Sequence, residues 1–160
     1  MPQPRVRWMI RRDTPSVLAV EQEFGGWTAD QLLAVLRERN RVGLVADVPA
    51  WPGKYGVGGF LIYELGEDRI TILRLAVLAC YRRRHVGRAL VQTVTDKLSY
   101  QRRNRAVADV HEANLPMQLF LRACGFRAEP PVLRNYFEDQ ASAYRMVHRV
   151  EAPGTSDGKD

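Results

Sequence analysis

Residues 69–90, RITILRLAVLACYRRRHVGRAL, join a strand signal to a helix signal through a basic turn. Arg69–Leu78 is rich in β-branched and leucine side chains, which favours a buried strand. From Val86 to Tyr100 an apolar side chain recurs about every four residues, which is typical of an amphipathic helix. The arginines Arg82–Arg84 lie between the two elements. The stretch therefore predicts a strand, a basic turn and a helix in succession.

The basic turn has the features of a phosphate-binding site. A helix N-terminus presents backbone N–H groups without intrahelical partners and the positive end of the helix dipole. Phosphate groups bind well there because they satisfy both. Gly87 lets the backbone approach a ligand closely because it has no Cβ atom, and the flanking arginines can add charge-assisted contacts. Strand, basic turn, glycine and helix together predict a site for a pyrophosphate.

The other elements follow from side-chain periodicity and from capping and turn residues. The strand and helix of residues 69–100 occupy the middle of the predicted order, β-α-α-β-β-β-α-β-α-β. This order predicts an α/β fold of the mixed, α+β type, with one twisted mixed sheet and helices on both of its faces. The other predicted strands are residues 5–11, 42–48, 55–65, 105–111 and 144–150, and the other helices are 14–24, 28–36 and 114–124.

Length and composition restrict the organisation and the partners. With 160 residues, the chain is expected to form a single domain over 1–150, followed by a disordered polar tail at 151–160. Hydrophobic residues make up 46% of the chain, which excludes global disorder. A net charge of +6 favours an anionic partner, either nucleic acid, a phosphorylated cofactor or an acidic protein surface.

Metal and membrane binding are not expected. The spacing of Cys80 and Cys124 does not match a metal site, and both are predicted to be small buried side chains. No apolar run approaches the roughly 18 residues of a membrane span. No signal peptide is recognisable, so we expect a cytoplasmic location.

Three motifs, in order along the chain, resemble those of the GCN5-related N-acetyltransferases (GNAT). Residues 82–87, RRRHVG, resemble the cofactor motif Gln/Arg-x-x-Gly-x-Gly/Ala, with His85 in place of the first glycine. Residues 114–126, NLPMQLFLRACGF, are similar to the second motif, and Asn114, Gly125 and Phe126 match it. Residues 134–147, RNYFEDQASAYRMV, resemble the C-terminal signature of the ribosomal-protein alanine acetyltransferase branch.

The resemblance implies a GNAT fold and an acyltransferase that moves an acetyl group from acetyl-CoA to a primary amine. The pantetheine arm would pair with the backbone of Leu75, Ala76 and Val77, and the Val77 N–H would face the thioester oxygen. Asn114 would contact the cofactor near the pantetheine. The phosphates would bind to the turn and the first helical turn: Arg82, Arg83, Arg84, His85, Val86, Gly87, Arg88 and Ala89.

Asp109 and Tyr136 are the candidate catalytic residues. Asp109 lies where the ribosomal branch carries a glutamate. Its carboxylate could take the proton of the acceptor amine, directly or through water. The alternative is that Asp109 is an exposed aspartate at the end of a strand, without a catalytic role. The tyrosine with which the family protonates the leaving thiolate falls on Leu121, which has no proton to donate. Either Tyr136 or water replaces it, or catalysis is weak. The CoA thiol is also acidic enough that an acid is not essential. Tyr136 could instead be a wall of the substrate pocket.

Four further side chains have two readings each. His111 shares a strand face with Asp109 and could assist proton removal, or it is a surface histidine. Three aromatic side chains could line the acceptor groove, although aromatic residues on such elements are more often packed in the core. They are Phe24, Trp27 and Tyr63.

The acceptor amine is the open part of the prediction. The resemblance favours a protein N-terminal α-amine of the ribosomal S18 alanine type, and hence a ribosomal protein as partner. A lysine side chain, a small amine, and a weakly catalytic module that only binds acetyl-CoA are the alternatives. A nucleic-acid-binding role is disfavoured, because the basic stretch has no helix-turn-helix, RRM or zinc signature beside it.

Overall fold

The computed structural model describes residues 3–24, 26–51, 53–82 and 85–151. Among these residues seven strands form one mixed sheet with the order β1-β2-β3-β4-β5-β7-β6, and helices flank it. Short 3-10 turns lie at Arg11–Asp13 and Ala79–Tyr81. The strands are β1 Arg5–Trp8, β2 Arg41–Trp51, β3 Lys54–Leu65, β4 Arg69–Val77, β5 Arg105–His111, β6 Arg127–Leu133 and β7 Ala143–Arg149; the helices are α1 Thr14–Gln22, α2 Ala29–Leu36, α3 Val86–Thr95 and α4 Leu115–Ala123.

The chain forms two compact units. The first comprises Met1–Glu64 and Leu73–Thr93, and the second comprises Leu65–Ile72 and Val94–Asp160. Strand β4 therefore contributes residues to both. The single domain expected over 1–150 stays a prediction.

The first unit is built around the antiparallel strands β1, β2 and β3. Its core combines apolar side chains of the helices with those of the sheet, because both elements present one apolar face. The N-terminus of α2 is closed by the predicted capping box, in which Gln31 N donates to Thr28 Oγ1 at 3.2 Å and Thr28 N donates to Gln31 Oε1 at 2.8 Å. The core residues are Val17, Val20, Leu32, Val45, Phe60, Ile62 and Ala76.

A cluster of three buried or half-buried charges fastens β1 to its neighbours in the first unit. Arg7 donates to Asp47 Oδ2 at 2.7 Å from Nε, and to Asp13 at 2.8 and 2.9 Å from its two terminal nitrogens. Asp13 also accepts the Ile10 N–H at 2.8 Å. The hydrogen bonds from Arg7 outweigh the opposing effect of burial and lower the pKa of Asp13. One arginine thus neutralises two buried carboxylates.

The second unit contains β5, β7 and β6 and the first residues of β4. Strand β5 pairs in parallel with β4 at Arg69–Thr71 and antiparallel with β7 along its length. Helix α4 begins at the predicted cap, where Asn114 Oδ1 accepts the Met117 N–H at 3.2 Å. Leu121 and Phe126 are fully buried and belong to the core of this unit.

Strand β6 corrects the predicted order, which contained six strands. Residues 127–133 were assigned to no element; they contain Pro130 and Pro131, and proline cannot donate to a strand ladder. The segment nevertheless pairs with β7 as the last strand of the sheet order. Proline is tolerated there because an edge strand needs hydrogen bonds on one side only.

Three element boundaries differ from the prediction by three residues or more. Helix α3 ends at Thr95 instead of Tyr100, because Lys97 N–H and Leu98 N–H bond carbonyls three residues back and tighten the last turn. Strand β1 ends at Trp8, since Asp13 draws the following residues into a 3-10 turn. Strand β2 runs on to Trp51. The predicted tail from 152 onward and the predicted helix stop at Gly25 lie outside the described residues.

None of the helices in the described ranges is both long and apolar enough to cross a membrane.

Candidate active site

The segment that connects β4 to α3 forms the predicted strand, turn and helix. Leu78 N–H bonds Gly58 O at 2.9 Å at the end of β4. The ladder of α3 starts with Ala89 N–H, which donates to His85 O at 2.9 Å. The N–H groups of residues 86–88 precede that bond and are the N-terminal donors of the helix. Arg83 and Arg84, expected as phosphate ligands, lie outside the described residues.

His85 has the backbone conformation of a glycine. Its φ is 64°, in the left-handed region that side chains with a Cβ atom rarely adopt. The cofactor motif quoted above carries glycine at this position. His85 thus adopts a backbone conformation that glycine adopts without strain, and its imidazole is exposed to solvent.

We predict that His85→Gly stabilises the protein. Relief of the left-handed strain is worth about 1 kcal/mol, which corresponds to a rise in Tm of about 3 °C for a chain of this size. Thermal unfolding measures it. His85→Ala is the control, because it removes the imidazole but keeps the Cβ atom; an equal rise in Tm for both variants would contradict the strain explanation.

Gly59 lets the end of β4 and the start of α3 lie close to β3. A Cβ atom at position 59 would come within 2.9 Å of Ala76 O, 3.1 Å of Val77 Cγ2 and 3.2 Å of Val86 Cγ1. Such distances are too short for a side chain to fit without movement. Ala76 and Val86 are buried, so their side chains belong to the packing around the turn and do not reach solvent.

The C-terminal end of α1 contacts the same turn. Glu23 Oε1 accepts the Ala79 N–H at 3.0 Å. The guanidinium of Arg82 lies 5.1 Å from the centre of the Phe24 ring, and its Nε donates to Val77 O at 3.3 Å. Arg82 therefore reaches back toward the end of β4. Arg88, on the first turn of α3, is exposed.

The backbone at the end of β4 suits an extended ligand. The parallel ladder between β4 and β5 ends at the pair Thr71 and Val107, whereas β4 continues to Val77. An extended arm can add to such a strand through main-chain hydrogen bonds, as peptides do at sheet edges. Together with the N–H donors of α3, Leu75–Val77 fit a ligand that has an extended arm and a pyrophosphate.

In the second unit, the two candidate catalytic residues contact each other. The Tyr136 hydroxyl donates to Asp109 Oδ2 at 2.7 Å. Arg145 donates two hydrogen bonds to the same carboxylate, from Nε to Oδ1 at 2.8 Å and from Nη2 to Oδ2 at 3.0 Å. Arg145 lies opposite Asp109 in the β5–β7 ladder. Sequence reasoning missed Arg145, whose only signal was a charge between the apolar side chains of Tyr144 and Met146.

These contacts decide the protonation of both groups. Burial opposes ionisation of Asp109, but the hydrogen bonds from Arg145 and Tyr136 outweigh it and lower the pKa of the carboxyl group. Burial and the neighbouring Asp109 both raise the pKa of Tyr136. At neutral pH Asp109 is therefore an anion and a weak proton acceptor, while Tyr136 keeps its proton.

His111 uses both ring nitrogens within the second unit. Its Nδ1 accepts the Ala113 N–H at 3.0 Å, so Nε2 carries the proton and lies 2.9 Å from Asp139 Oδ2. The ring also stacks on Phe137 with 5.0 Å between centroids. This arrangement favours a role in holding the β6–β7 connection over a role in taking a proton.

The remaining candidates divide between core and surface. Tyr63 is buried, and burial raises the pKa of its hydroxyl; Trp27 packs against the core of the first unit. Phe24 is 44% exposed and is the one of the three aromatic candidates that solvent reaches freely. Asn114 caps α4 with its side-chain oxygen. Among the described residues, no group of three or more His, Cys, Asp or Glu side chains is placed to hold a metal ion.

Comparison with known families identifies the chain. The sequence model of the acetyltransferase (GNAT) family matches residues 7–126. The chain belongs to this family. It is accordingly a GNAT acetyltransferase, an acyltransferase that uses acetyl-CoA as cosubstrate and an amine as acceptor. The predicted fold class and family are confirmed.

Several solved structures share the GNAT fold of this acetyltransferase. The ribosomal-protein-S18-alanine N-acetyltransferase from Escherichia coli has a TM-score of 0.76 at 19% identity, covering 98% of this chain and 100% of that one. Ard1 from Thermoplasma volcanium has a TM-score of 0.78 at 24% identity, with 94% and 100% covered. NAA60 from Arabidopsis thaliana, in complex with acetyl-CoA, has a TM-score of 0.75 at 16% identity, with 92% and 99% covered. At such identities the likeness shows the fold alone.

No curated protein matches the GNAT chain by sequence.

Proposed function

We propose that this GNAT enzyme acetylates the α-amine of a protein N-terminus, with an alanine N-terminus of the ribosomal S18 type as its preferred acceptor. The observation that carries the proposal is the hydrogen bond of Tyr136 with Asp109 at 2.7 Å. Tyr136 belongs to the segment that resembles the signature of the ribosomal-protein alanine branch. The S18-alanine acetyltransferase among the similar folds supports the same choice. A ribosomal protein is then the partner, and we propose a cytoplasmic location.

The first unit carries the residues that would hold acetyl-CoA. The backbone of Leu75–Val77 would pair with the pantetheine arm, because the ladder with β5 has ended before those residues. The N–H groups at the start of α3 and the exposed charge of Arg88 would receive the phosphates. Bound acetyl-CoA supplies a thioester whose carbonyl carbon an amine can attack.

The Val77 N–H is the proposed donor to the thioester oxygen. A backbone donor fixed at the end of a strand is held in place before the reaction starts, which is what stabilisation of developing negative charge requires. Arg82 binds the carbonyl of the same residue and brings a positive charge to the strand end.

Proton transfer is assigned to the pair Asp109 and Tyr136. Asp109, anionic and fixed by Arg145, accepts the hydrogen bond of the Tyr136 hydroxyl and so orients it. Tyr136 stays protonated at neutral pH and can give a proton to the departing thiolate. Solvent water would take the proton of the amine, since the lowered pKa of Asp109 makes the carboxylate a weak base.

Acetyl-CoA binding is the first experimental test. A ligand that binds only the folded state raises the melting temperature in proportion to the logarithm of its concentration. We expect the Tm to rise with acetyl-CoA concentration in this logarithmic way at fixed salt, and CoA alone serves as reference. The absence of any rise at high acetyl-CoA concentration would contradict the assigned cofactor residues.

The acceptor is tested by CoA release and by mass spectrometry of the product. Three acceptors are compared. The first is a peptide with a free N-terminal alanine, the second is this peptide with a formylated N-terminus and an added internal lysine, and the third is a polyamine. We expect acetyl transfer to the free N-terminus only. Transfer to the lysine or the polyamine would replace the proposed acceptor by one of the alternatives. Acetyl-CoA binding with no transfer to any amine would indicate a weakly catalytic binding module instead.

A further inference from the structure

A fully buried carboxylate that the proposed mechanism does not use lies in the first unit. Glu21, on the last turn of α1, has no solvent-exposed surface. Arg74 binds it at two points, Nε to Oε1 and Nη2 to Oε2, the latter at 2.7 Å. The Trp27 N–H donates to Oε2 at 3.0 Å. Burial opposes the charge, but these hydrogen bonds outweigh burial and lower the pKa of Glu21.

Two described residues of the connection between α1 and α2, Gly26 and Trp27, lie against this carboxylate. A Cβ atom at Gly26 would overlap Glu21 Oε2 and Arg74 Nη2, so a larger residue there would displace the paired side chains. The guanidinium of Arg74 also lies 5.2 Å from the centre of the Trp27 ring. The positions of Gly26 and Trp27 therefore depend on the Glu21–Arg74 pair.

The same pair ties this connection to the cofactor strand. Arg74 immediately precedes Leu75–Val77 on β4. Glu23 and Phe24, on the same connection, contact the Ala79 N–H and the Arg82 guanidinium. Three separate contacts thus fasten the connection between α1 and α2, here called the α1–α2 segment (the described residues 23, 24 and 26–28), to β4 and the turn after it.

We propose that Glu21 is a positioning residue that, through Arg74, places the α1–α2 segment beside the end of β4 and thereby sets the affinity for the acceptor amine. Glu21 is buried and touches no substrate. The Phe24 ring, 44% exposed and beside Arg82, is the side chain through which the segment would contact an acceptor at the strand end. The inference rests on the proposed function, in which the amine is acetylated at that end of β4.

Glu21→Gln is the test variant, because it keeps the shape of the side chain and removes its charge. We expect the KM for an acceptor peptide to rise roughly tenfold, since small displacements of positioning groups have effects of this size or larger. The kcat and the dissociation constant of acetyl-CoA are expected to stay within about threefold, as befits a loss of acceptor binding alone. Arg74→Lys, which keeps the charge but loses the two-point contact, should give a smaller rise in the same KM.

Glu64→Gln is the matched control. Glu64 forms another Arg–Glu pair of the first unit, with Arg41 Nε at 2.9 Å, and this pair links β2 to β3. We expect its loss to leave the acceptor KM unchanged. Equal KM changes in Glu21→Gln and Glu64→Gln, or no change in either, would overturn the inference.

A spectroscopic measurement separates this inference from the proposed function. In a Trp8→Phe, Trp51→Phe background, Trp27 is the remaining tryptophan of the three in the chain. Glu21→Gln should shift the Trp27 emission to longer wavelength because the segment loosens, while Glu64→Gln should not. An unchanged Trp27 spectrum in Glu21→Gln would contradict the positioning role even if the enzyme is active. A shifted spectrum in a protein that acetylates no amine would support the positioning of the segment but contradict the proposed function.

Discussion

Replacing Arg7 by methionine is expected to lower the free energy of unfolding by about 3 kcal/mol, the lower end of the range for breaking a buried ion pair. The side chains of Asp13 and Asp47 are only 8% and 9% exposed, so the variant removes the closest cation from both buried carboxylates. Asp47 then keeps the 4.0 Å contact with the exposed Arg5. The lower end of this free-energy range applies because 35% of the Arg7 side chain is exposed to solvent. For a chain of this size the loss corresponds to a drop in Tm of about 9 °C.

The pH dependence of the Arg7 effect has a definite sign. The pKa of Asp13 is lower in the folded protein than its ordinary value, so its stabilising contribution is complete above about pH 4 and is lost as the pH falls through the folded-state pKa. Without Arg7, Asp13 keeps the Ile10 N–H bond and the weak attraction of Arg12, each smaller than the opposing effect of burial, so protonation becomes less costly. The difference in Tm between wild type and Arg7→Met should therefore shrink from pH 7 to pH 3.

Arg41→Met provides the comparison for Arg7→Met. It breaks the pair with Glu64, whose members are 27% and 32% exposed, so it should cost less than about 1 kcal/mol. A similar cost for both variants, or a pH-independent difference for Arg7→Met, would show that the buried charge cluster is not what stabilises β1.

Tyr136→Phe is expected to lower kcat about 100-fold, the smaller end of what a positioned proton donor contributes. Phenylalanine preserves the T-shaped contact of the ring with Phe137 and removes only the hydroxyl that donates to Asp109. The KM values for acetyl-CoA and acceptor should change little, because the group acts in the chemical step. Steady-state kinetics with the peptide of the acceptor test measure the change.

Tyr100→Phe is the matched control for Tyr136→Phe, since Tyr100 is a similarly exposed tyrosine of the second unit, 43% against 49%. It should leave kcat unchanged. A kcat for Tyr136→Phe within threefold of wild type would remove Tyr136 from the mechanism and leave water as the proton donor.

Asp109→Asn adds a measurement that needs no turnover. Burial contributes to the raised pKa of Tyr136, and the Asp109 anion adds to it. Removing the anion should lower the pKa of Tyr136, so its phenolate appears at lower pH in an absorbance titration referred to Tyr136→Phe. The activity that depends on the protonated phenol should then be lost at lower pH than in wild type.

Elements with local signals were predictable from the sequence. The Thr28 capping box, the Asn114 cap and the strand at residues 105–111 involve neighbouring residues, and the structure has each of them. The turn before α3 was also predictable, because a helix N-terminus after a strand needs few residues to specify it. Strand β6 was missed, because its prolines oppose pairing unless the strand lies at the edge, which the sheet order decides.

The candidate site was only partly predictable for the same reason. Asp109 and Tyr136 were recognised through motifs, but their mutual hydrogen bond and the hydrogen bonds from Arg145 to Asp109 were not. The Asp109–Arg145 and Glu21–Arg74 pairs join residues 36 and 53 positions apart. Such pairs form only when strand register and helix packing bring distant residues together. They in turn determine which carboxylates stay ionised and which hydroxyl keeps its proton.

The amino-acid sequence thus specified the family, the helices and most strands of this acetyltransferase, because periodicity, caps and motifs act over a few residues. The left-handed backbone of His85, the edge position of β6 and the partners of the buried carboxylates emerged from the folded chain alone. Each depends on contacts between segments far apart in sequence, where burial makes an unpaired charge or a strained backbone costly and the surrounding structure has to compensate for it.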